Sequence, residues 1–245
     1  MAYWGLARAS HVVSVSPYVA DHLKRFMFYH GDKEVIPNGM LASLFEQVTP
    51  VKKHQRPFTI TTALSNRCAL KNGTAAIKAF TLFKRDFPFA RMIMFGAGYG
   101  LGEAAEQWAR EHGNFEGIEF AGYRPHGEVL SRLAEEADVL LHTSLEESHG
   151  MPLSEAMALN IPVIGGEASG GVPWALDEGR AGILVDVTSP SDIAAALRRL
   201  AQSSDESQAL GARGRALAKE RFHIETVADA YQAIYAELAL SVTKP

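Results

Sequence analysis

A single cysteine, Cys68, stands in 245 residues. No disulfide can form within the chain, and a reducing compartment is the simpler expectation. No run of about 18 apolar residues occurs, which excludes a membrane-spanning helix. The opening MAYWGLARAS lacks the apolar core of a secretory signal. The expectation is a cytoplasmic protein, with a peripheral position at the inner face of a membrane left open. An excess of one charge is missing too: 24 Lys and Arg face 28 Asp and Glu, for a net charge of -4. That balance gives no basic footprint for a nucleic-acid backbone. An anionic ligand must therefore be met locally, by a few placed cations and backbone amides. There is no Asp-x-Asp for a metal-held diphosphate, no H-E-x-x-H and no phosphate-loop motif. A G-x-S-x-G nucleophile elbow is absent as well. The nine histidines show no ligand spacing, so neither metal nor cofactor is expected. No internal repeat or low-complexity tract appears.

What the chain does have is an ordinary globular make-up, 47% hydrophobic and 21% charged. From residue 58 onward, short apolar runs alternate with longer amphipathic ones. FTITTA (58–63), RMIMFG (91–96), GIEFAG (117–122), DVLLHT (138–143), IPVIGG (161–166) and AGILVD (181–186) read as strands. Residues 72–85, 102–112, 126–136, 152–159, 171–177 and 190–202 read as helices. Strands apolar on both faces, alternating with helices, predict a parallel sheet covered on both sides: an α/β, Rossmann-like doubly wound fold. Ser189 is placed to cap the helix that Pro190 opens, with Asp192 completing a capping box. Ahead of this unit, residues 9–25 read as one strand and one helix capped by Ser16. VIPNGM (35–40) reads as a turn-rich linker and EQVTPVKKHQR (46–56) as a polar lead-in. At the far end Ile224, Val227, Tyr231, Ile234, Tyr235 and Leu238 recur at helical spacing. They define an amphipathic helix that needs a surface to pack on.

In open parallel sheets, ligands bind beyond the carboxyl ends of the strands, so the segments after the strands hold the candidates. Arg67 and Lys71 stand in LSNRCALKNG, just ahead of a helix, where two cations suit a phosphate or diphosphate. Two loop cations are also common on a solvated surface. GAGYGLG (96–102) approaches a dinucleotide fingerprint without its strict spacing. Gly98 there is a turn glycine that could also let backbone come close to a phosphate. Tyr123, Arg124 and Pro125 form either a flat shelf for a base or an ordinary loop. EESHGMPLSEAMALNIPVIGG (146–166) sets Glu147 before a Gly-Met-Pro turn and Glu155 after it. A helix starting near Met151 or Pro152 would aim the amides of Gly150 and Met151 into the cleft. Glu155, in the first turn, would be favoured by the helix dipole in any case, and Glu147 could be plain surface. His142 at the strand end reads as a core residue, and His149 as a cleft residue. Gly170 and Gly171 form a second amide-rich turn near the same edge. Together, a carboxylate, a glycine turn, a helix start and a second carboxylate supply what a nucleotide sugar needs. Its hydroxyls require carboxylate acceptors, and its diphosphate requires amides and cations.

Five segments occur in a telling order: VIPNGM, RCALK, FGAGYG, EESHGMPLSEAMALNIPVIGG and SGGVPWALDEGRAGILVD. On these the chain resembles the family 4-type retaining glycosyltransferases, which have the GT-B fold. The resemblance covers about residues 35–202, and the Glu-x7-Glu pair with its EAMA and PV tail is its most specific part. It implies a hexosyltransferase of glycan biosynthesis, moving a sugar with retention from a nucleotide-diphosphate donor to a saccharide or lipid-linked acceptor without a metal. By the resemblance, Arg67 and Lys71 hold the donor diphosphate, and Glu147 accepts a hydrogen bond from a donor-sugar hydroxyl. Gly150 and Met151 offer amides, Glu155 binds the ribose, and the loop at Tyr123 and Arg124 meets the base. Gly98 and His149 complete the donor site. His149 stands where the family commonly has phenylalanine, Arg67 and Lys71 are slightly closer together than its norm, and VPWAL replaces an acidic residue. The family has two Rossmann-like domains, the amino-terminal one binding the acceptor. By that pattern residues 1–37 are a remnant of the acceptor domain, 38–220 bind the nucleotide sugar, and 221–245 form the helix that crosses back. The expectation is a truncated product, or half of a split enzyme partnered by a separate acceptor-domain chain, with part of the crossing helix's apolar face uncovered. Two other readings stay open: a module that binds a nucleotide sugar without transferring it, and a nucleotide-sugar epimerase.

Overall fold

The computed structural model describes residue 9 and residues 11–26, 33–46 and 56–242. Most of the polar lead-in, residues 47–55, lies outside them. The expected doubly wound sheet is present. Its strands are β3 (Thr59–Asn66), β4 (Arg91–Ala97), β5 (Ile118–Gly122), β6 (Val139–Leu141), β7 (Val163–Gly166) and β8 (Ile183–Val185). They lie in the order β5-β4-β3-β6-β7-β8, and every pairing is parallel. The order reverses between β3 and β6, which opens a crevice at their carboxyl ends. The helices that cover the sheet are α3 (Gly73–Lys84), α4 (Ala104–Glu111), α5 (His126–Glu136), α6 (Met151–Ala158), α7 (Val172–Ala175), α8 (Pro190–Gln202) and α9 (Ser204–Arg221).

The apolar runs explain the two layers of core. Side chains alternate across a strand, so Val139 and Leu141 enter one cluster with Phe80, Phe83 and Leu197. Leu140 between them enters the other, with Leu153, Met157 and Phe222. β6 is only three residues long, and residues 143–144 just beyond it are buried without strand structure. Helix α9 is not marked by apolar periodicity, and its Gly211 and Gly214 look like breakers. They serve close packing instead: a Cβ at Gly211 would fall 2.5 Å from the Asn160 carbonyl oxygen. The cap of α8 is half a box. Ser189 Oγ accepts from the Asp192 amide at 3.3 Å, while the Ser189 amide is already donated to Asp186 O.

Before the main sheet, β1 (Val12–Ser14) and β2 (Lys33–Val35) pair in parallel, with α1 (Pro17–Phe26) between them in sequence. Ser16 Oγ accepts from the Val19 amide at the start of α1. The linker reading of VIPNGM is thus corrected at its edge, since Val35 belongs to a strand. A short helix, α2 (Ala42–Glu46), follows. The terminal helix α10 (Ile224–Val242) buries Val227 and Ile234 against Ile36, with Val13 packed alongside. The chain's own early segment therefore covers part of this helix's apolar face, and Ile224 and Tyr235 remain exposed. The crossing is pinned by Met40, whose amide donates to Phe222 O and whose carbonyl accepts from the Ile224 amide. Among the described residues no helix is long and apolar enough to cross a membrane.

Candidate functional site

The loop after β6 is the centre of the crevice, and three other segments fasten to it. The 3-10 turn Ala69–Lys71 after β3 docks on it: the Leu145 amide donates to Leu70 O at 2.7 Å, and Thr143 Oγ1 donates to Lys71 O at 3.0 Å. The Gly170–Gly171 turn after β7 docks from the other side, where the Gly171 amide donates to Glu147 O at 2.7 Å. A side chain at Gly170 would place its Cβ 2.5 Å from that carbonyl, so the close approach requires glycine. The third segment is the junction at Asn38, whose amide donates to His149 Nδ1 at 3.2 Å.

This docking brings Lys71 and Glu147 together. Lys71 Nζ lies 2.5 Å from Glu147 Oε1, and His142 Nε2 lies 3.0 Å from the same oxygen. Burial pushes the Glu147 carboxyl upward, but hydrogen bonds from His142 and Lys71 outweigh it and hold the group at about 2. Glu147 is therefore a fixed carboxylate at neutral pH.

Gly150, at φ +86°, caps α6, and Met151 is its first residue. Gly150 and Met151 both line a cavity at this end of the sheet. Glu155 lies just past the first turn, not within it, so the dipole accounts for it less well than expected. Its side chain is 8% exposed and meets His126 Nε2 at 2.8 Å. Two cavities adjoin here. One, about 370 Å³, is lined by Leu64, Phe95, Tyr123, Arg124, His126 and Glu155. The other, about 280 Å³, is lined by Ser65, Lys71, His142, Glu147, Gly150 and Met151. Ala63, Ser65, Met151 and Pro152 border both.

The remaining candidates fall around this centre in different ways. Arg67 is exposed on the loop after β3 and makes no ion pair among the described residues. Gly98, at φ +86°, packs under it: a Cβ there would fall 2.7 Å from Arg67 Cβ. Tyr123 is exposed, and Arg124 donates to Tyr123 O and pairs with Glu128. His149 lines the smaller cavity, but its ring turns into the core. It is 2% exposed, bonded through Nε2 to Ser154 Oγ and packed on Phe222 and Trp174. His126 and His142, the two histidines that touch the glutamates, carry no local motif; only the fold shows their partners. Among the described residues no group of three or more His, Cys, Asp or Glu is placed to hold a metal ion.

The doubly wound sheet and its crevice are those of GT-B glycosyltransferases. Sucrose-phosphate synthase from Thermosynechococcus elongatus superposes with a TM-score of 0.80 at 23% identity, covering 98% of this chain and 61% of that one. Anabaena HepE, solved with UDP and glucose, superposes with a TM-score of 0.76 at 21% identity, covering 94% and 64%. Residues 52–217 match the glycosyl transferases group 1 family, and the chain belongs to that family. A D-inositol 3-phosphate glycosyltransferase of Corynebacterium kroppenstedtii is 37% identical over 125 residues, which are 49% of this chain and 27% of that protein. An N-acetyl-alpha-D-glucosaminyl L-malate synthase of Bacillus anthracis is 31% identical over 106 residues, 43% of this chain and 28% of that protein. The chain thus matches little more than a quarter of the length of either relative.

Proposed function

We propose that this chain is the donor-binding half of a retaining, family 4-type glycosyltransferase, which moves a sugar from a nucleotide-diphosphate donor to a saccharide or lipid-linked acceptor. The observation that carries the reading is the Lys71–Glu147 pair at the reversal point of the sheet, beside a cavity that ends on the buried carboxylate of Glu155. The names of the similar proteins, two of them glycosyl-transferring enzymes and one solved with UDP and glucose, support it.

In this reading the nucleoside enters the larger cavity, with its ribose hydroxyls on Glu155 and its base against the Tyr123–Arg124 loop. The diphosphate lies over Arg67, Lys71 and the start of α6, and the sugar fills the smaller cavity against Glu147. The acceptor hydroxyl attacks the anomeric carbon from the side the diphosphate leaves. The new carbon–oxygen bond forms as the bond to phosphate breaks, and the acceptor's proton passes to a departing phosphate oxygen. The chain's share is electrostatic and positional: two cations and a helix start stabilise charge on the leaving group. The reading therefore calls for no metal.

Titration calorimetry with UDP, GDP and ADP tests it. Glu155→Ala is expected to weaken the preferred nucleotide by about 10- to 150-fold, as loss of a hydrogen bond to a charged group implies. An unchanged Kd would remove the ribose role from Glu155.

A further inference from the structure

Glu147 Oε1 has two donors of different freedom. Lys71 follows a short 3-10 turn and carries a flexible side chain, 19% exposed. The His142 side chain is 2% exposed. It sits where β6 ends, its backbone amide still donated to Ile164 O at 2.9 Å. Moving it would open the sheet at the crevice. Its Nε2 must be the donor, because a carboxylate oxygen only accepts. Its Nδ1 is buried and has no hydrogen-bond partner among the described residues, so the bond to Glu147 is the ring's one polar tie there. The Ser144 hydroxyl, from the same loop, also helps to hold the Glu147 carboxyl down.

A diphosphate arriving in the crevice carries more charge than one carboxylate and competes with Glu147 for Lys71. If Lys71 turns to the diphosphate, Glu147 loses its cation while its side chain stays 15% exposed. A largely buried carboxylate that loses its cation is costly unless other donors hold it, and without them it would rotate or take up a proton. His142 is the donor that cannot leave. Resting on the donor-site reading above, we propose that His142 is a positioning residue: it pins Glu147 through Oε1 while Lys71 shifts to the diphosphate, and so keeps the carboxylate turned toward a donor-sugar hydroxyl.

The assignment makes the nucleotide sugar depend on His142 more than the nucleotide does. Calorimetry with UDP and UDP-glucose, GDP and GDP-mannose, and ADP and ADP-glucose identifies the pair that the wild-type protein binds. For that pair, His142→Phe is expected to weaken the nucleotide sugar about ten- to a hundredfold and the nucleoside diphosphate by less than about threefold. His142→Gln keeps an N–H donor and is expected to recover most of the loss. Equal weakening of both ligands, which a merely structural role would give, overturns the assignment, as does full retention of nucleotide-sugar affinity. Should the phenylalanine variant fail to fold, His142→Asn, whose shorter amide falls away from Glu147, is expected to show the same split, and an equal loss would overturn the assignment in the same way. If the wild-type protein binds none of the six ligands, the donor-site reading itself falls, and His142 with it.

Discussion

His149 shows how one side chain can be both legible and misleading. Its place in the Gly-Met-Pro segment points to the cleft, and it does border the smaller cavity. The imidazole goes elsewhere, into an aromatic nest with Phe222 and Trp174. Nδ1 accepts from the Asn38 amide, so Nε2 carries the proton and donates to Ser154 Oγ. Charging this ring would cost the Asn38 bond and bury a cation. Burial accordingly pushes its pKa down to about 4, against roughly 6.5 for a free histidine. Between those values the unfolded chain binds a proton that the folded chain does not. The contribution to stability is whole above about pH 6.5 and is lost as pH falls toward 4, on the order of 2–3 kcal/mol by pH 4.5. His149→Phe, which fits the aromatic surroundings, is expected to remove this part of the acid sensitivity. Urea denaturation of both proteins at pH 7.5 and pH 4.5 decides it. An equal loss on acidification in both would show that His149 does not titrate on unfolding.

Among the elements, α8 and α9 make an instructive pair. The start of α8 is written in Ser189, Pro190 and Asp192, and the Ser189 hydroxyl does take the Asp192 amide. Ser189→Ala is expected to cost about 1 kcal/mol, within the 0.5–2 kcal/mol range for such caps, and to leave nucleotide affinity unchanged. Asp192→Ala is expected to cost less, because the Ser189 amide is already held by Asp186 O. Thermal melts of the two variants rank them, and a larger loss for Asp192→Ala would contradict the half-box geometry. Helix α9 was hidden for the opposite reason. Its pattern is broken by Gly211 and Gly214, yet those glycines allow its backbone to lie against Asn160 and Ala181. Propensity disfavours them, and tertiary packing overrides that cost. The Glu147 loop likewise depends on neighbours that are remote in sequence, at Leu70, Lys71 and Gly171.

For the whole molecule, the main question is how the early segment is held. β1 and β2 form a sheet of two strands, too small to be stable alone. They are held by α10, through Val227 and Ile234 on Ile36. Ile234→Ala is expected to cost about 2–5 kcal/mol where its collapse is incomplete. The loss should be local. Hydrogen exchange is expected to quicken at 12–14 and 33–36, while β3, β4 and β6 keep their protection. Unchanged protection of the early strands would show that α10 does not hold them.

The doubly wound sheet was readable from the chain alone, because a strand buried on both faces leaves a continuous apolar run and most of the helices between the strands leave a period of 3.6. The placement of the glutamate segment, at a strand's carboxyl end and across a helix start, was readable as well from its glycine and proline. Which groups stand against those carboxylates was not readable. Lys71 is paired with Glu147 across 76 residues and His126 with Glu155 across 29, separations that no local pattern encodes. His142 lies only five residues from Glu147, but a strand end followed by a tight loop can turn a side chain either inward or away. Only the packing of the 3-10 turn, the β6 loop and the second glycine turn on one another decides that direction, because each supplies the hydrogen-bond partners that the others lack.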